Sequence, residues 1–268
     1  MRICLFGTSH LAAPRLAQQS DPDRWADLDI TFVGATKNKL LDHQIVDGVM
    51  TPTTPEMVDA FRLMAGVEAL DLRSFDAFGI VGGHIGPHMI GHIYGQARWC
   101  SLQSVIRKKP EQKAKYELIS EAMLDALLSH RLQNIVAGRL GATLRAAIDR
   151  PVLVFPAPRP GNELLELKRH NLIALKWAVR KSDARHLSRR FDALATDVYA
   201  NMGLQYLPQP KRTIEKHVLT RETYILGAIR LTAQGHVPQP DADIMHGNRL
   251  YGEVILNQIE TALTHVEQ

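Results

Sequence analysis

Ser9 near one end of this 268-residue sequence and Asp243 and His246 near the other can together carry out nucleophilic chemistry. An alcohol is a poor nucleophile near neutral pH, so an attacking serine needs a base beside it. Histidine suits that role because its pKa lies near neutrality. A carboxylate then fixes the imidazole's tautomer and stabilises its charged form. Asp243 and His246 are three positions apart, so a single turn can present both to one point. The chemistry also needs donors facing the developing oxyanion. The backbone N–H groups of Ser9 and Gly34, each at the end of an apolar run, can supply them. Each residue also has a plainer reading: Ser9 as a helix N-cap, Asp243 as a turn or cap residue, His246 as a solvated loop histidine.

Positioning such a group takes a strand, a sharp turn and a helix. Ile3 to Phe6 is a short apolar run broken by Gly7, and Leu11 to Gln19 reads as a short helix. Further strands are expected at Asp29–Val33, Phe75–Val81, Pro151–Phe155 and Leu204–Leu207, with a minor edge strand at Val46–Met50. Helical patterns fall at Glu56–Met64, with Thr54 as cap and Pro55 at the first helical position, and at Glu111–Arg150, broken near Gly138 and Gly141. Others cover Glu163–Arg180, Ala184–Met202 and Leu250–Val266, while Thr213–Gly235 is mixed. Strands separated by helices predict one domain over residues 1–268. Its expected form is a three-layer α/β/α sandwich with a mainly parallel five-stranded sheet.

Apolar residues make up 45% of the chain, enough for a full core and against disorder. No apolar run reaches the roughly 18 residues of a membrane span. No secretory leader pattern precedes the first strand, and two cysteines, Cys4 and Cys100, make no disulfide framework, so a cytoplasmic protein is expected. A formal net charge of +4 permits an anionic substrate without implying nucleic acid.

In the order and placement of Gly7-Thr-Ser9-His, Gly34, Gly82-Gly-His84-Ile and Asp243-Ile-Met-His246, the chain resembles the SGNH (GDSL-like) hydrolases. The resemblance implies Ser9 as nucleophile, His246 as base and Asp243 as its orienting carboxylate. Ser9, Gly34 and His84 would form the oxyanion hole, with His84 where the family has an asparagine. It implies an SGNH/flavodoxin-like fold and an esterase for O-acyl groups on a small molecule or saccharide, for instance a carbohydrate deacetylase. No metal or organic cofactor is needed. A saccharide acyltransferase and a noncatalytic binding protein of the same fold are the alternatives.

Four residues near these strand ends are expected to contact substrate: His10, Gly83, Arg159 and Asn248, the last also read as holding a turn. His84, His88 and His92 share a spacing of four, but Gly86, Pro87 and Gly91 interrupt it and no carboxylate lies among them, so no metal site is predicted. The basic run Arg180–Arg190 is read as a solvated helix face rather than a nucleic-acid surface. A nucleotide-binding phosphate loop would need more glycines than the single Gly7 in Gly7-Thr-Ser-His-Leu-Ala-Ala.

Overall fold

β1 (Arg2–Gly7) is buried from Ile3 onward, and its side chains alternate between two cores. Ile3 and Leu5 face one, Cys4 and Phe6 the other. β1 pairs with β2 (Asp29–Gly34) on one side and with β3 (Ala77–Val81) on the other. β3 pairs with β4 (Val152–Phe155), and β4 with β5 (Gln205–Tyr206). Every pairing is parallel, and the order is β2-β1-β3-β4-β5. That is the doubly wound, flavodoxin-like order. β3 and β4 are buried along their whole length, as strands covered on both faces must be. The computed structural model describes residues 1–107, 116–232, 235–240 and 243–264.

The main helices are α1 (Ala12–Ser20), α2 (Pro55–Ala60), α3 (His88–Gln96), α4 (Glu121–Asn134), α5 (Val136–Ala147), α6 (Ile173–Arg180), α7 (Ala184–Asn201) and α8 (Arg249–Thr264). α1 and α8 cover one face of the sheet: Ala17, Tyr251, Ile255 and Ile259 pack with Ile3, Leu5, Val81 and Phe155. The larger core on the opposite face joins Phe6, Phe78, Ile80 and Val154 to α3 to α7. Helix, sheet and helix layers therefore form as the alternating strand pattern predicts. None of the described helices is long and apolar enough to cross a membrane.

Several elements differ from the sequence reading, each for a local reason. Val46–Met50 is part of a hairpin, His43–Val46 with Val49–Pro52. Its turn, Asp47-Gly48, has φ of 49° and 74°, the two positive values of a type I′ turn. In the Glu111–Arg150 stretch, residues 111–115 lie outside the described residues. α4 starts later, with the Ser120 hydroxyl accepting the Met123 N–H at 3.1 Å. The break falls at Ile135, which is extended, and not at the glycines. Gly138 and Gly141 lie inside α5, where a Cβ would sit 2.2 Å from the Leu132 carbonyl and 2.5 Å from the Leu204 side chain. They permit close packing rather than a bend. Glu163–Arg180 is not one helix either. A short 3-10 turn, Asn162–Leu165, is separated from α6, and the largely buried Lys176 ammonium takes the Leu167 carbonyl at 2.8 Å. The mixed Thr213–Gly235 segment contributes Ile229–Thr232 to an antiparallel pair with Gly235–Pro238.

Candidate active site

At the end of β1, a Cβ on Gly7 would lie 2.9 Å from the Val81 carbonyl and 3.1 Å from Leu11, so the chain leaves the sheet where only glycine fits. It turns through Thr8 into one 3-10 turn, Ser9–Leu11, in which the Leu11 N–H donates to the Thr8 carbonyl at 3.0 Å. Ser9 stands exposed at the carboxyl end of β1. No side-chain cap bond is made here, so the N-cap reading of Ser9 does not describe its role.

The other half of the site is a tight turn before α8. Asp243 Oδ1 accepts the N–H groups of Met245 (2.7 Å) and His246 (3.2 Å), and Oδ2 lies 2.6 Å from His246 Nδ1. His246 Nε2 lies 2.8 Å from Ser9 Oγ. A carboxylate only accepts, so the ring proton sits on Nδ1 and Nε2 is left to accept the Ser9 O–H. Burial pushes the Asp243 carboxyl upward. Its bonds to the His246 ring and to two backbone N–H groups outweigh that and hold it below the usual carboxylate range. The spacing of three predicted from the sequence thus brings Asp243, His246 and Ser9 into one hydrogen-bonded line.

The pairing of α1 with α8 sets this distance. A Cβ on Gly252 would lie 2.0 Å from the Ala13 carbonyl oxygen, so the helices meet backbone to backbone. Ser9 leads into α1 and His246 leads into α8. Asn248 starts α8: its Oδ1 accepts the Tyr251 N–H at 3.2 Å, and its Nδ2 donates to the Thr223 and Leu226 carbonyls, both at 2.8 Å. All its polar atoms are used in this way, which matches the turn role and leaves none for the substrate contact expected of it.

His10 is half-buried and stacks on His246, ring centroids 4.8 Å apart. Its Nδ1 is buried without a hydrogen-bond partner among the described residues. Burial, with the His246 and His88 rings, lowers its pKa to about 3, against a smaller opposing pull from Asp243. A neutral ring therefore backs His246. His88, which the sequence reading did not place at the site, is also close to His10. Burial and His92 lower its pKa to about 4. Its only signal in the sequence is the spacing of four from His84.

After β3, Gly82, Gly83 and His84 have φ of 79°, 50° and 68° in succession. The Ile85 N–H closes the turn on the Gly82 carbonyl at 2.9 Å. Ala137 donates to the Gly83 carbonyl (3.1 Å), and Gly82 donates to the Phe155 carbonyl (2.9 Å). A Cβ on Gly82 would lie 2.6 Å from the His10 ring. His84 is exposed and holds a left-handed conformation that costs a non-glycine residue about 1–2 kcal/mol. Gly34 closes β2 in register with Gly7. Beyond it, the Ala35 N–H donates to the Gly7 carbonyl at 3.1 Å, so the two strand ends stay joined past the glycines.

Arg159 differs from its expected role. Its side chain is 1% exposed and bonds Asp192 (2.9 Å), Ser188 (3.0 Å) and Gln209 (3.4 Å). Such a buried, paired guanidinium ties the loop after β4 to α7 rather than reaching toward a ligand. Among the described residues, no three His, Cys, Asp or Glu side chains converge as a metal site requires.

No family model and no curated relative match this chain. Among solved structures it is similar to a lipase/acylhydrolase from Enterococcus faecalis, over 97% of this chain and 96% of that one, at 12% identity and a TM-score of 0.39. The fold assignment rests on the strand order and the layers, and the chemistry on the site's own geometry.

Proposed function

We propose that the chain is a serine-dependent hydrolase of O-acyl esters, of the SGNH kind. The observation that carries this reading is the line Asp243–His246–Ser9, with contacts of 2.6 and 2.8 Å. Ser9 Oγ attacks the ester carbonyl carbon while its proton passes to His246 Nε2. The negative charge that builds on the carbonyl oxygen is met by the Ser9 and Gly34 N–H groups, with a ring N–H of His84 as a third donor. Asp243 stabilises the imidazolium without taking its proton. When the C–O bond breaks, Nε2 returns the proton to the leaving alkoxide. Water then attacks the acyl-serine by the same route, giving the carboxylic acid and restoring Ser9.

The substrate class, an ester of a small molecule or saccharide, follows from the resemblance of Ser9, Gly34, Asp243 and His246 to the SGNH motif positions. Turnover of p-nitrophenyl acetate by the wild type and by Ser9→Ala tests the assignment. The variant is expected to lose at least about 10³-fold in kcat. Equal turnover by both proteins would remove Ser9 as nucleophile. A saccharide acceptor added to the wild-type reaction separates hydrolysis from acyl transfer by its products.

A further inference from the structure

Away from Ser9, the basic run before and along α7 forms the wall of a cavity of about 550 Å³. Arg185, His186, Arg189 and Arg190 recur at helical spacing on one face of α7 and line it, with Ser182 from the turn before the helix. Ser101 and Arg107 close it from the segment after α3. Side-chain hydrogen bonds tie that segment and α3 to the start of α7. Asp183, fully buried, accepts the Ser104 N–H at 3.0 Å and the Tyr94 hydroxyl at 2.7 Å. The Trp99 Nε1–H donates to His186 Nε2 at 3.1 Å. These bonds fix the floor of the concavity, and Arg107, Arg185 and Arg189 stand exposed around it.

Among the described residues its charge is unbalanced. Arg190 is paired with Asp125 at 2.5 Å and lies 3.9 Å from Glu121. Arg107, Arg185 and Arg189 have no ion-pair partner among the described residues. Arg185 and Arg189 also reach the neighbouring loop, where, after burial, their charges lower the pKa of His217. Guanidinium forks match the oxygens of a phosphate, two N–H groups to two oxygens. The cavity falls in the size range of small-ligand sites, whereas nucleic acid is met by an extended basic track.

We propose that this cavity binds a small anion carrying a di- or triphosphate group. Arg107, Arg185 and Arg189, unpaired among the described residues, offer three guanidinium groups, and a di- or triphosphate sets charged phosphates against more than one of them, as a single carboxylate does not. Ser182 adds a hydroxyl donor, whereas the Ser101 hydroxyl donates to the Glu121 carboxylate at 2.5 Å. The site shares no lining residue with the Ser9 centre, so its ligand binds independently of ester turnover.

Isothermal titration at low ionic strength tests this, with pyrophosphate and ADP as probes on the wild type, the Arg185→Gln/Arg189→Gln double variant and an Arg62→Gln control. One pyrophosphate or ADP per wild-type chain is expected. Binding should weaken at least tenfold in the double variant and stay unchanged in the control, with ester turnover equal in all three. Tighter binding of ADP would identify a nucleotide, and equal binding the phosphate group alone. The proposal is overturned if neither probe binds at millimolar concentration, if the double variant binds as well as wild type, or if a single-stranded oligonucleotide binds more tightly than both. Thermal unfolding of the double variant at the wild-type midpoint shows that any loss is local.

Discussion

The tautomer of one ring decides whether Ser9 has a base. Asp243 holds the proton on His246 Nδ1, and this leaves Nε2 bare toward Ser9. Asp243→Asn offers an N–H to Nδ1 and favours the opposite tautomer. Its kcat for p-nitrophenyl acetate is expected to fall by about 10⁴-fold, with KM little changed. A loss under tenfold would mean that Asp243 does not set the tautomer. His84 poses the second question at this scale. If its ring supplies an oxyanion donor, His84→Ala lowers kcat by about 10²-fold. His84→Asn keeps a donor and tolerates the left-handed backbone, so it should stay within severalfold of wild type. Equal kcat in His84→Ala would leave the backbone N–H groups as the whole hole. The residues of the hydrogen-bonded line were legible in the sequence because a serine after the first strand and an Asp-x-x-His turn are local patterns. The commitment of Arg159 to Asp192 was not, because its partner lies thirty-three positions away on a helix face that spacing alone cannot orient.

α1 and α8 carry the two halves of the site, and their closeness depends on Gly252. The carbonyl of Ala13 is backbone and cannot move aside as a flexible side chain would. Gly252→Ala is expected to destabilise the fold by about 1–3 kcal/mol in urea unfolding. It should also lower kcat by separating Ser9 from His246. Unchanged stability and turnover would show that the helix contact does not set the site. A glycine in the second turn of an amphipathic helix gives no sequence signal of this, since its meaning lies in a contact between chain ends. The five sheet strands were legible because apolar runs end in glycine, proline or a turn. The division of α4 from α5 was hidden because Ile135 suits either a helix or an extended link. The glycines nearby, which usually mark a break, serve packing instead. Asp47-Gly48 was a readable hairpin signal, and the single-strand reading passed over it.

At the scale of the whole molecule, the order β2-β1-β3-β4-β5 reverses direction between β1 and β3. In open parallel sheets a crevice forms at that point, beyond the carboxyl ends of the strands. Ser9 follows β1 and His84 follows β3, so the topology alone places both at its mouth. The same crevice buries groups whose titration bears on stability. His10 has a folded pKa of about 3, whereas an unfolded histidine titrates near 6.5. Between those values the unfolded chain binds a proton that the folded chain refuses, so stability falls as pH drops through this window. Asp243 is held below its unfolded value near 3.9. Its contribution is present above about pH 4 and is lost as the pH falls through its folded pKa. Urea midpoints at pH 7 and pH 5 should therefore drop more for wild type than for His10→Phe. Equal drops would show that His10 is not buried neutral.

The central claim, that His246 makes Ser9 a nucleophile, is tested most directly by reaction with paraoxon followed by intact mass and peptide mapping. One diethylphosphoryl group on Ser9 of the wild type is expected, with none in Ser9→Ala and labelling at least about 10³-fold slower in His246→Ala. A wild-type protein that stays unlabelled, or is labelled at a residue other than Ser9, would contradict the account.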